Sequence, residues 1–150
     1  MTTSRPVTVQ IRRRFGATDE RVFDAWLDRD RVWQWMRVCA ERQPARGETV
    51  RIEIDARVGG SFTFVDRRDG VEVVHTGEYL ELDRPRRLVF TWGIPQLSPG
   101  ADRVTVDILP DGESCMLTLT AEMSPEWAEH AARAAEGWGT MVDAVGVVVE

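Results

Sequence analysis

The sequence predicts an α+β fold: a curved antiparallel sheet of about seven strands gripping one long C-terminal helix, with two short helices after the first strand. Two observations predict it. From Ser124 onward, Trp127, Ala131, Ala134, Trp138, Met141, Val145 and Val148 recur at alternating steps of four and three, which marks one buried helical stripe. Between Thr49 and Met123, apolar and polar residues instead alternate in short runs separated by turn residues. A helix with one apolar face must bury it against another layer, and here that layer is a sheet. A twisted sheet curling around such a helix leaves a space between the two, and that space is where a function is expected.

The elements follow in order. Val7, Val9 and Ile11 alternate with Thr8, Gln10 and Arg12, giving a first strand whose alternation turns Arg13 inward. Thr18 caps a first short helix with Val22, Phe23, Trp26 and Leu27 on its apolar side. Asp28 restarts the pattern, and Val32, Trp33, Trp35 and Met36 form a second. Arg37 to Glu48 reads as a polar connection. Val50 to Arg57 alternates cleanly as a strand, and Gly59-Gly60 turns it through positive φ. Phe62 and Phe64 carry the next strand, which Asp69-Gly70 turns again. Val71 to Leu82 is long, and its buried set changes parity between Tyr79 and Leu80, which predicts a bulge. Leu88, Phe90 and Trp92 follow Asp83-Arg84-Pro85, a loop runs from Gly93 to Ala101, and Val104–Ile108 and Leu117–Leu119 complete the meander. Ser124-Pro125-Glu126 then starts the long helix with a cap, a proline at its first position and an acid in its first turn.

A chain of 150 residues buries enough surface to fold as one domain, 1–150, without disulfide or metal staples. A net charge of −6 argues against nucleic acid or an anionic membrane as partner. All nineteen basic residues are arginine, which excludes lysine-dependent catalysis. Cys39 and Cys115, without a CxxC motif, read as two reduced thiols in a cytoplasmic protein. No apolar run reaches the ~20 residues a membrane span needs, and Met1 to Pro6 does not resemble a signal peptide. No phosphate-cradling glycine motif, nucleophile elbow or metal-ligand spacing occurs, so neither cofactor nor metal is expected.

Arg13-x-Phe15, Val22-Phe23-x-Ala25-Trp26 and Trp35 open the chain in a pattern shared with a known family. Asp55-Ala56-Arg57-Val58-Gly59-Gly60-Ser61-Phe62, Gly77-Glu78-Tyr79, Pro85-x-x-Leu88-Val89-Phe90-Thr91-Trp92 and Gly137-Trp138 continue it in the same order. Together they resemble the homologues of the activator of heat-shock-protein-90 ATPase, within the START-like, Bet v 1-like group also called SRPBCC. The resemblance runs from about Val7 to Val145 and implies a helix-grip fold with a cavity between sheet and helix. It implies a hydrophobic or lipid-like small molecule as ligand, with aromatases and cyclases among the relatives. The chaperone-activating members carry a further domain ahead of this module, and this sequence begins at the module's first strand, so ligand binding is expected before chaperone activation.

For an apolar ligand, the inward faces offer Trp35, Phe62, Phe64, Phe90, Trp92, Trp138 and Met141 as walls, with His75 and Tyr79 as polar groups that fix orientation. Were the protein instead a cyclase-, dehydratase- or hydrolase-like enzyme, His75, Glu78 and Tyr79 would carry the acid–base chemistry. A third alternative is an interaction module, pairing with a chaperone or with a second copy in a homodimer. Arg13 is expected in a structural ion pair, because a lone inward charge is costly. Asp55 and Arg57 are expected as a solvated pair, and His130 as exposed. Gly137 and Gly139, which flank Trp138, are expected to allow close packing.

Overall fold

The computed structural model describes residues 7–95 and 101–150, apart from the side chain of Trp127. The Trp127 position in the expected stripe and the middle of the Gly93–Ala101 loop therefore lie outside the described residues. Alternating apolar residues build the edge strand β1 (Val7–Phe15). In α1 (Asp19–Ala25), the Thr18 hydroxyl accepts the Arg21 N–H, and in α2 (Arg29–Arg42) the Asp28 carboxylate accepts the N–H groups of Asp30 and Arg31. Both starts are as the sequence predicts.

The second helix is longer than expected, however, and takes up half of the supposed Arg37–Glu48 connection. Its buried residues are Val32, Trp35, Met36 and Cys39, a helical stripe that Cys39 carries one turn further. The exposed side of that turn is charged, which disguised it as a loop. Burial pushes the Cys39 thiol up to about 11 and also raises that of Cys115. The indole N–H of Trp35 donates to the Ala25 carbonyl at 2.9 Å, so the first helix end and the second helix lock together.

A 3₁₀ turn (Pro44–Arg46) leads into β2 (Glu48–Ile54), β3 (Ser61–Arg68), β4 (Val71–Asp83), β5 (Arg87–Trp92), β6 (Asp102–Asp111) and β7 (Ser114–Met123). The strands form one antiparallel sheet in the order β1-β7-β6-β5-β4-β3-β2, a meander closed by the first strand. The β2 strand ends at Ile54, short of the expected Arg57, and of the Gly59-Gly60 pair only Gly59 has positive φ, at 84°. Asp69 and Gly70 both have positive φ, 49° and 79°, as a two-residue hairpin turn requires. The bulge is present: pairing between β4 and β5 shifts between Tyr79 and Glu81, leaving Leu80 as the extra residue.

The terminal helix also starts differently. Ser124 directs its hydroxyl to the Glu126 carboxylate at 3.2 Å and caps no backbone N–H. Pro125–His130 winds as a 3₁₀ segment, and the α-helix proper, α3, spans Ala131–Val149. This helix approaches β1, α1 and α2 most closely, while the bend of the sheet holds its middle strands further off. Its buried side includes Trp138, Met141, Val142, Val145 and Val149.

The two rigid contacts of α3 differ in what they tolerate. Gly146 lies on Phe15, where an added Cβ would stand 2.9 Å from the ring; at Gly139 the nearest outside atom is an Arg13 guanidinium nitrogen, at 3.7 Å. Gly146→Ala is therefore expected to cost about 1–3 kcal/mol through overpacking. Gly139→Ala should instead stabilise by about 0.4–1 kcal/mol through lost backbone entropy. Urea unfolding of the two variants checks both, and the same sign for both would contradict the packing described.

Candidate functional site

Because the sheet stands away from α3 at its centre, something must fill the gap, and aromatic rings fill it. The Phe62 ring lies 4.9 Å from Phe64, 5.5 Å from Tyr79, 5.7 Å from Phe90 and 5.9 Å from Trp92, measured between centroids. Trp35 joins through Phe64 at 6.3 Å, and Trp138 of α3 meets Trp92 at 5.2 Å. Gly77, paired with Phe62 across the ladder, makes room: a Cβ there would fall 2.4 Å from the Phe62 ring. What remains between these rings is a void of about 20 Å³, also lined by Trp26, Leu88 and Met141. That is room for about one water molecule. The interior expected to hold a ligand is thus occupied by the very rings expected to line it.

Space opens at one end of the grip instead. A cleft of about 770 Å³, open to solvent, lies between Trp92 and Ile94 after β5, Trp138 and Met141 of α3, and the 3₁₀ turn at Pro44–Arg46. His75, Arg68, Asp102 and Arg133 also border it. Burial raises the Asp102 carboxyl above the ordinary carboxylate range.

The polar side of this cleft is organised by a residue that sequence reasoning missed. Asp66 on β3 is only 2% exposed, and an isolated charge there would be costly. Its Oδ2 accepts from Arg68 Nη2 at 3.2 Å and faces His75 Nε2 at 3.0 Å. Arg68 donates through Nε to the Arg46 carbonyl, and Arg46 reaches the Gly137 carbonyl with Nη2 at 2.8 Å and Gln43 with Nε at 2.6 Å. One chain of hydrogen bonds therefore ties β4, β3, the 3₁₀ turn and α3 around the cleft. Parity could have exposed Asp66: Phe62, Phe64, Asp66 and Arg68 share one strand face, so the face that carries two rings also carries the acid.

Of the wall residues expected from sequence, Trp92, Trp138 and Met141 line both the void and the cleft; Trp35, Phe62, Phe64 and Phe90 line the void only. His75 is 6% exposed, stacked on Trp92 with centroids 5.0 Å apart, at the border of the cleft. The trio expected for acid–base chemistry does not gather. Glu78 is exposed on the opposite face of β4, with its backbone N–H bonded to the Thr91 hydroxyl. Tyr79 lines the void, four residues or about 13 Å along the strand from His75. Desolvation raises its phenol, which keeps it protonated. The expectation of a His75, Glu78 and Tyr79 constellation is corrected accordingly; strand alternation separates Glu78 from the other two.

Arg13 does form an ion pair, with Asp143 of α3 at 2.8 Å, yet the two side chains are 43% and 39% exposed, at the rim rather than inside. Arg57 pairs with Asp55 in solvent as expected, and His130 is exposed. Gly137 and Gly139 face guanidinium groups of Arg46 and Arg13, not the sheet backbone. Among the described residues no group of three or more His, Cys, Asp or Glu side chains could hold a metal, and no helix is long and apolar enough to cross a membrane.

A seven-stranded sheet clasping a C-terminal helix, with an aromatic interior and an open end, defines a helix-grip protein of the START-like group. The chain belongs to the family described as activator of Hsp90 ATPase homolog 1-like protein, which matches residues 16–150. Among curated proteins, none matches the sequence. Solved structures share the fold. Protein CV1439 from Chromobacterium violaceum is 26% identical with a TM-score of 0.80, over 95% of this chain and 96% of that one. Mll3558 from Rhizobium loti is 25% identical with a TM-score of 0.73, over 95% and 96%. NE0264 from Nitrosomonas europaea, 18% identical with a TM-score of 0.77 over 95% and 94%, shows the same fold.

Asp66→Ala is expected to cost about 3 kcal/mol, because it strips a buried partner from both Arg68 and His75. Asp55→Ala, which breaks an exposed pair, should change stability by less than ~1 kcal/mol. Denaturant midpoints of the two variants measure the contrast, and equal effects would show that the buried network is not structural.

Proposed function

We propose that the protein binds a flat, predominantly apolar small molecule at the open end of the grip and performs no chemistry on it. The observation that carries this reading is the cleft itself. Its volume of about 770 Å³ falls within the range of small-molecule sites, its floor is Trp92, Trp138 and Met141, and a few polar groups stand at its edge. Two indoles in edge contact at 5.2 Å give a rigid apolar wall on which an aromatic ligand can stack. The polar rim is held by the network from His75 to Gly137, so it can fix orientation with little reorganisation.

The interior rings support the same reading from behind. Trp35, Phe62, Phe64 and Phe90 pack against Trp92 directly or through one another and hold that wall in place. A catalytic role has less support, since Glu78, Tyr79 and His75 occupy separate environments.

Titration with flat aromatic compounds should quench or shift tryptophan emission and raise the melting temperature by mass action. Trp138→Leu should weaken binding at least tenfold while the fold is retained by circular dichroism. A panel that moves neither emission nor melting temperature would contradict the proposal.

A further inference from the structure

The polar atom left over at this site selects among apolar ligands, an inference that rests on the binding function proposed above. Asp66 accepts from the Arg68 guanidinium, so its carboxylate already has a cation and acts as a pure acceptor. The imidazole facing the same oxygen at 3.0 Å must then present Nε2–H to it. In the neutral ring with that tautomer, Nδ1 carries a lone pair and is an acceptor. This Nδ1 is buried and has no hydrogen-bond partner, although the side chain borders the cleft. An unpaired polar atom at that depth is costly, and a ligand that supplies the missing donor recovers the cost.

The neighbours narrow the donor further. Arg46 and Arg68 border the same cleft, and guanidinium groups donate but cannot accept. An ammonium ligand would be repelled by them, and a bare N–H would leave them without an acceptor. A hydroxyl serves both sides, donating to imidazole and accepting from guanidinium. The indole of Trp92, stacked on His75 at an interplanar angle of 29°, sets the plane in which the carrier of that hydroxyl must lie. We infer that the ligand is an aromatic alcohol, a flat ring system whose phenolic O–H donates to Nδ1 of His75 while its rings lie against Trp92 and Trp138.

The test uses the full chain and two probes of nearly equal shape, 2-naphthol and 2-methoxynaphthalene, titrated by tryptophan fluorescence. The phenol is expected to bind at least tenfold tighter, and in His75→Phe, which keeps a ring to stack on Trp92, the two should bind alike. Should that variant fail to fold, ¹⁵N spectra of the wild-type histidines decide. The chain has two, and His130 is exposed and serves as control. The Nδ1 resonance of His75 should move on adding 2-naphthol and stay on adding 2-methoxynaphthalene. Equal affinity with no selective Nδ1 shift overturns the inference and leaves apolar binding in the cleft intact. Failure of both probes to bind overturns the inference together with the reading beneath it.

Discussion

The structure depends on a mismatch of curvature. Seven antiparallel strands must cover one helix, but they bend away from it at their centre, and α3 approaches only the flanking elements closely. A gap of that kind cannot stay empty in a folded protein, because its walls lose dispersion contacts on one side. Phe62 resolves the mismatch. It stands over Gly77, where no side chain competes for space, and reaches four other rings. The remaining aromatics complete a plug that leaves about 20 Å³.

Filling the centre moves the available space to the open end, where the helix and the strands diverge beyond Trp92 and Trp138. There the apolar plug meets water, and the boundary needs polar groups that are themselves satisfied. The buried carboxylate of Asp66 supplies the anchor: Arg68, Arg46 and His75 are arranged by it, directly or through one another. The same boundary thus has a stability role and a recognition role, and the two meet at one imidazole. The outer face of the sheet contrasts with it. Pairs such as Arg103 with Glu122 and Arg87 with Glu81 lie exposed across neighbouring strands and contribute little beyond solubility.

Much of this fold is legible in the sequence because its strongest signals are periodic. Strand alternation sets the meander, and the parity change at Tyr79 marks a bulge that the ladder contains. Thr18 and Asp28 mark helix starts because their side chains have nothing else to bind. The signals fail where two features coincide. The last turns of α2 carry one small buried residue, Cys39, among charged neighbours, so the stripe was too thin to read. Ser124 looked like a cap but prefers Glu126, so the helix begins later than its apolar stripe. For the site, the inward aromatics were recognisable, but sequence cannot say whether rings line a cavity or fill it; that is a matter of sheet curvature. Asp66 escaped because acids were assigned to solvent by type, although its position on the strand contradicted that assignment.

The central claim is that the interior is closed and the mouth is the place of occupancy. Indole N–H resonances report on it directly, since Trp92 and Trp138 border the cleft while Trp26 and Trp35 line only the void. In a titration with an aromatic ligand, followed by ¹H–¹⁵N correlation spectra, the Trp92 and Trp138 signals should move and those of Trp26 and Trp35 stay in place. Large shifts confined to Trp26 and Trp35 would show that the plug parts to admit the ligand, and would contradict the account.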